Sequence, residues 1–246
     1  MTLTLAQICR HPIKAHGRED LASVLLEAGA CLPDDRRWAV AHEAAKLVEG
    51  WNPCNNFHRG AKAPGLMAIT SVLEGDRITL RHPDLPDLSF KPDAPEDLPA
   101  FLAWLAPLAP SDRAQPARIV SAGRGMTDSA FPSISVLSLA SLDALGRKLG
   151  QTLSPHRFRG NLWIDGAAPF AEFDWIGREI AIGDAVLRVE ERITRCKATM
   201  ANPDSGRIDA DTLGALESAY GHRDFGVYAV VVKGGAIAVS NEVTLR

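Results

Sequence analysis

Gly226-Val227-Tyr228-Ala229-Val230-Val231-Val232, then Lys233-Gly234-Gly235, then Ala236-Ile237-Ala238-Val239, brings the chain towards its end as two apolar runs separated by a turn. Apolar, β-branched runs flanking a glycine-rich turn predict a β-hairpin. Runs with almost no polar alternation predict strands buried on both faces, or closed into a barrel. Further short strands are expected at Leu3–Ile8, Trp38–His42, Leu66–Leu73, Arg77–Arg81, Ala117–Ser121, Ser133–Leu137, Asn161–Ile164, Glu179–Ile182 and Ala185–Val189, each bounded by turn residues. Helical spacing is confined to Glu96–Leu108, Ser138–Leu149 and Asp209–Tyr220. Ser138 or Ser141 is the expected cap of the second, Gly150 its stop, and Asp209 the cap of the third. Leu21–Glu27 fits a helix or a strand equally. The fold class is mainly β with a few helices (α+β).

Half of the 16 prolines lie between Pro83 and Pro116, which marks a junction. The chain accordingly divides into an N-terminal β-rich part, residues 1–95, and a larger C-terminal β-rich part, residues 96–246. With 246 residues, 46% hydrophobic and 23% charged, it is long enough for a substantial core. A net charge of −3 argues against nucleic acid as a partner, because backbone phosphates call for a basic face. The longest candidate span, Phe101–Leu108, is far too short for a bilayer, so no membrane crossing is expected. The N-terminus lacks the basic stretch of a signal peptide. Cys9, Cys31, Cys54 and Cys196 are widely spaced and form neither a disulfide framework nor a CxxC site; a reduced, cytoplasmic protein is expected. Seven scattered histidines show no HExxH, and P-loop, GxGxxG and GxSxG motifs are absent.

Chemistry concentrates at Thr194-Arg195-Cys196-Lys197. Cys196 alone among the cysteines lies between two cations, which favour a thiolate, a soft ligand and strong nucleophile. Upstream, Phe158-Arg159-Gly160-Asn161 pairs a guanidinium with an amide. Taken alone, Cys196 is as compatible with a small buried hydrophobe, and Arg159 and Asn161 with the polar face of a strand. Lys14 is either a surface lysine or an anion contact. Arg37 reads as solvated, Glu172 and Asp174 as a solvated loop, and Trp163 and Trp175 as core.

Taken in order, several segments resemble the MOSC family, the molybdenum-cofactor sulfurase C-terminal domains, preceded by their N-terminal β-barrel companion. They are His11-Pro12-Ile13-Lys14, Asp35-Arg36-Arg37-Trp38, Phe158-Arg159-Gly160-Asn161, Phe170-Ala171-Glu172 with Asp174-Trp175, Ile182-Gly183-Asp184, Arg195-Cys196, Asn202-Pro203-Asp204-Ser205-Gly206 and the expected Gly226–Val243 hairpin. Within that family the set is similar to the mitochondrial amidoxime-reducing component and its bacterial relatives. The resemblance implies a molybdenum cofactor (molybdenum–pterin) between the two parts, with Cys196 as the metal ligand. It further implies cofactor contacts at Lys14, Arg36, Arg159, Asn161, Thr194 and Arg195, and an acidic, catalytic residue at Asp128. The implied activity is oxo-transfer reduction of N-hydroxylated or N-oxygenated small molecules, fed by a separate electron-transfer protein of iron–sulfur or heme type. The alternative is a carrier that holds sulfur as a Cys196 persulfide or ferries the cofactor; a binding module with a decayed site is the third reading. Ala15 stands where the reducing enzymes commonly place Ser, His16 where Cys is often seen, and Gly160 where Pro is frequent and where glycine would loosen the backbone.

Overall fold

In the computed structural model, which describes residues 2–246, Asp224–Lys233 and Gly235–Ala238 are both strands but do not pair with each other. The expected hairpin is therefore corrected. The first strand lies between Ala185–Thr194 and Ile134–Ser138, while the second crosses to Ser23–Leu26. Glycine spacing gives the reason. A Cβ at Gly234 would sit 2.7 Å from the Leu26 carbonyl oxygen, and one at Gly235 would sit 2.5 Å from the Asp184 carbonyl carbon. Only side-chain-free residues thread between those two backbones, and the route leads away from a tight reversal.

Along the chain the elements are β1 (Leu3–Arg10), β2 (Glu19–Leu21), β3 (Ser23–Leu26), β4 (Trp38–His42), β5 (Thr70–Glu74), β6 (Arg77–His82), β7 (Leu85–Phe90), α1 (Leu98–Leu105) and β8 (Pro116–Ser121). There follow β9 (Ile134–Ser138), α2 (Leu139–Leu149), β10 (Leu162–Asp165), β11 (Glu179–Ile182), β12 (Ala185–Thr194), α3 (Thr212–Tyr220), β13 (Asp224–Lys233), β14 (Gly235–Ala238) and β15 (Glu242–Leu245). Seven strands close a barrel in the order β1-β10-β9-β13-β12-β11-β15 and back to β1, with β2 flanking β1 outside the ring. Every barrel pair is antiparallel except β9–β10. Register shifts in β1–β10 and β12–β13 supply the local bending that closure needs. Leu5, Ile8, Val136, Ile164, Leu187 and Val227 fill the interior and are fully buried.

A second core gathers Ile13, Trp38, Val40, Leu66, Ile78, Phe90, Phe101 and Trp104, beneath the β5-β6-β7 sheet, the β4–β8 pair and α1. The two parts interlock across residues 95 and 96. Phe101, Trp104 and Leu105 of α1 pack on the N-terminal core and β8 pairs with β4, while β1 of the N-terminal part completes the barrel.

Local differences from expectation have local causes. Leu66–Leu73 is not one strand, because Pro64 opens a 3-10 turn to Ala68 and extension begins only at Thr70. Leu21–Glu27 is extended, not helical. Glu96–Leu108 is helical only over Leu98–Leu105, with 3-10 turns at each end. Ser138 caps α2 and Gly150, at φ 66°, stops it. Asp211, not Asp209, caps α3 by accepting from the Gly214 N–H at 3.0 Å; Asp209 is engaged by Arg157 at 2.7 Å. The Pro83–Pro116 region holds a true strand, β7, paired to β6.

Candidate functional site

Six non-glycine residues of the described chain have positive φ, and Ala15 (65°), Arg36 (52°) and Arg159 (48°) among them line one cavity of about 280 Å³. Left-handed backbone at residues with a Cβ is uncommon and costs energy, and it gathers where the fold must aim a side chain. The cavity lies at the junction of the two parts. All eight side chains picked from the sequence line it: Lys14, Arg36, Asp128, Arg159, Asn161, Thr194, Arg195 and Cys196.

Their arrangement starts from the loops around β1 and β4. His11 donates its backbone N–H to Asp35 at 2.8 Å, and Asp35 in turn pairs with Arg36. Burial would raise the Asp35 carboxyl, but the Arg36 guanidinium beside it holds it well below the usual carboxylate range. Arg36 also donates to the Arg159 carbonyl at 2.8 Å, so one cation fixes the backbone that presents the next. Lys14 donates to the Met126 carbonyl at 2.7 Å and to Asp128 at 2.5 Å. Burial lowers the Lys14 ammonium from its ordinary value while Asp128 partly restores it; Lys14 holds Asp128 low despite the opposing effect of burial. The Asp128 side chain remains 61% exposed to the cavity mouth.

Arg159 is the least compensated cation. Burial, then repulsion from Arg36, drop its guanidinium to about 9, and its Nη2 is buried with no hydrogen-bond partner. A buried donor without an acceptor is costly and marks a place for one. Gly160 does not loosen this segment: a Cβ there would lie 2.3 Å from Leu137 Cδ1, so the turn is packed hard against β9 and any larger residue would have to displace Leu137.

Three of the chosen residues have polar groups engaged within the fold. Asn161 Oδ1 accepts from the Ser135 N–H and hydroxyl at 3.1 and 2.8 Å, and Nδ2 donates to the Cys9 carbonyl at 3.2 Å, strapping β1, β9 and β10 together. Arg195 donates to the carbonyls of Phe225 and Phe158, and burial drops it to about 10. Thr194 donates to Asp224 at 2.6 Å. Cys196, by contrast, is exposed. Its carbonyl accepts from the N–H and hydroxyl of Thr199 at 3.2 and 3.1 Å, which anchors the backbone and leaves the thiol to the cavity.

Other lining residues escape a motif reading. Arg59 donates to the Cys54 sulfur at 3.0 Å, placing a second thiol on the cavity. Tyr228 contributes a hydroxyl that burial pushes up to about 12; as the lone polar residue in the apolar run of β13 it carried the only sequence signal. His16 points away into the N-terminal core, where Nδ1 donates to the Lys14 carbonyl at 2.7 Å and Nε2 pairs with His58 at 3.2 Å. Glu172 is fully buried rather than solvated: Ser141 holds both carboxylate oxygens at 2.9 Å, and burial pushes the acid up to about 7. Arg37 lies 41% exposed over the Trp38 ring, and Trp163 and Trp175 are core, as expected.

Residues 127–244 match the MOSC domain, and residues 2–105 match the MOSC N-terminal beta barrel domain. Mitochondrial amidoxime-reducing component 1 of Mus musculus is 34% identical over 122 residues, 45% of this chain and 35% of that protein. Molybdenum cofactor sulfurase of Anopheles gambiae is 36% identical over 73 residues, 29% of this chain and 9% of that protein. The similarity thus spans about a third or less of the relatives' own length. The solved YUAD protein from Bacillus subtilis aligns with a TM-score of 0.49 at 12% identity, over 100% of this chain and 96% of that one. Among the described residues no helix is long and apolar enough to cross a membrane.

Proposed function

This chain belongs to the MOSC family, with a MOSC domain behind a MOSC N-terminal β-barrel domain, and we propose that its junction cavity binds a molybdenum cofactor and reduces N-hydroxylated compounds. The observation that carries the reading is that one cavity is lined both by the exposed Cys196 and by Arg159, whose buried Nη2 has no hydrogen-bond partner. The donor set fits such a group. A soft thiolate suits the metal, and Lys14, Arg36 and Arg159 suit a phosphate-bearing pterin through charge-assisted hydrogen bonds. The cofactor, when bound, supplies the two-electron oxo-transfer chemistry.

The chain's own residues bind, orient and handle protons. Arg159 offers its free donor to an anionic oxygen; Arg36 fixes the Arg159 carbonyl; Arg195 holds the preceding Phe158 carbonyl, and Asn161 ties the segment to β1. Asp128, kept ionised by Lys14, accepts from substrate N–H groups at the mouth. Tyr228 keeps its proton through the neutral range, so its hydroxyl serves as a hydrogen-bond donor to the departing oxygen while solvent supplies the protons. Reduction of an N–OH group consumes two electrons and two protons and releases water, with the electrons delivered by a separate iron–sulfur or heme protein.

Protein from a cofactor-replete host tests this. Stoichiometric molybdenum and benzamidoxime reduction with an artificial donor are expected in wild type, and neither in Cys196→Ala. Metal-free wild type overturns the reading. The exposure of Cys196 also suits a persulfide carrier, for which mass spectrometry would find a sulfur adduct on the Cys196 peptide and no molybdenum.

A further inference from the structure

Cys9, Asp20 and His156 converge on the outer side of the barrel, and none of them lines the junction cavity. Cys9 on β1 and Asp20 on β2 are direct cross-strand partners, which puts both side chains on one face. His156 enters from the turn Pro155–Phe158 that leads to Arg159. The Cys9 thiol donates to Asp20 Oδ1 at 3.1 Å, and His156 Nε2 lies 3.6 Å from Asp20 Oδ2. One ligand atom from each residue can be chosen so that all lie within 4.8 Å of one another.

We propose that this trio is a second metal site, binding a divalent cation of the zinc class, independent of the Cys196 cavity. The chemistry is specific: one sulfur, one imidazole nitrogen and one carboxylate oxygen form a zinc-type donor set. Bonds of about 2.0–2.3 Å in a tetrahedron give ligand–ligand edges of roughly 3.3–3.7 Å. The 3.1 Å from Cys9 Sγ to Asp20 Oδ1 is close to one such edge, and because the 3.6 Å from His156 Nε2 runs to the other oxygen, Oδ2, a turn of the Asp20 carboxylate would bring one oxygen to both partners. The proton in the thiol–carboxylate hydrogen bond stands where the cation would. Binding releases that proton to solvent and leaves a thiolate and a carboxylate, whose two negative charges match a divalent ion.

An outer layer is in place as well. Gln7 donates to Asp20 Oδ1 at 2.9 Å and orients the carboxylate. The nearby Arg18 is directed elsewhere, onto the Met67 and Ile69 carbonyls and Asp204. With three protein ligands, the fourth position goes to water. The site joins β1 and β2 to the turn whose His156 carbonyl accepts the Arg159 N–H at 3.3 Å, so a bound ion would steady the segment that presents Arg159.

Cobalt(II), a spectroscopic stand-in for zinc, tests the assignment. In a Cys31→Ser, Cys54→Ser, Cys196→Ser variant, Cys9 is the sole thiol. Saturable binding with a thiolate-to-cobalt charge-transfer band is expected there, displaced by zinc, and weakened roughly tenfold or more by Asp20→Asn or His156→Ala. Absence of a saturable band in that variant, or a band indifferent to both substitutions, overturns the site. Should the triple variant fail to fold, zinc competition against a chromophoric chelator in the otherwise wild-type chain decides: tenfold weaker binding with Asp20→Asn and His156→Ala supports the site, and unchanged affinity overturns it.

Discussion

Inside the barrel, Val136, Ile164, Leu187 and Val227 are fully buried members of one apolar core. At the rim the same strands lead into a cavity whose wall carries Lys14, Arg36, Arg159 and Arg195. The strand β12 takes part in both, packing Leu187 and Val189 inward before it ends at Thr194 and the Arg195-Cys196 corner. The contrast separates two uses of one scaffold. Burying apolar area stabilises the barrel at about 25 cal/mol per Å². Crowded, desolvated cations do the opposite, which is why Arg159 and Arg195 hold their protons less tightly than usual. Such a cluster is tolerated where an anion completes it.

Substitutions can break that contrast. The largest effect is expected from Cys196→Ala: molybdenum content and amidoxime reduction fall to background while urea denaturation shifts by less than about 0.5 kcal/mol, because the residue is exposed. A large stability change with retained metal would place Cys196 with the barrel rather than with the cavity. Ile164→Ala in the barrel should show the reverse, a loss of about 2–5 kcal/mol measured by the same denaturation. Gly160→Ala sits on the border between the regions. Its methyl would collide with Leu137, so a loss of about 1–3 kcal/mol is expected, together with weaker retention of molybdenum as Arg159 is displaced.

The smallest effect is a slope. Burial lifts Glu172 to about 7, so the folded state binds this proton more tightly than the unfolded chain does. Its contribution to stability is complete below the unfolded carboxyl value and is lost as pH rises through about 7. Denaturation midpoints across that window should flatten in Glu172→Gln; an unaltered slope would show that the buried acid does not titrate there.

Much of the site was legible because the residues that carry it are chemically rare in their settings. A cysteine between two cations and an arginine beside an amide stand out in any reading, and ordered resemblance to a family joined them to Lys14 and Arg36. Cys54, Arg59 and Tyr228 did not stand out, because their place on the cavity follows from how distant loops meet. Glu172 was misread as solvated since nothing local announces that Ser141, on a separate helix, covers it.

Most of the barrel strands, the approximate places of the three helices, the Ser138 cap and the Gly150 stop follow from side-chain periodicity and local hydrogen bonding, which act within a few residues, and the sequence alone determined them. Which strand pairs with which did not follow. The run Gly226–Val239 looked like a hairpin, and only the close approach of Gly234 to Leu26 and of Gly235 to Asp184 sends its second half to β3. Likewise β1, read as part of the N-terminal domain, closes the barrel because its apolar face completes that core. Pairing and closure depend on contacts between residues far apart in the chain, and the cavity that receives Cys196 exists only where those long-range contacts bring both parts together.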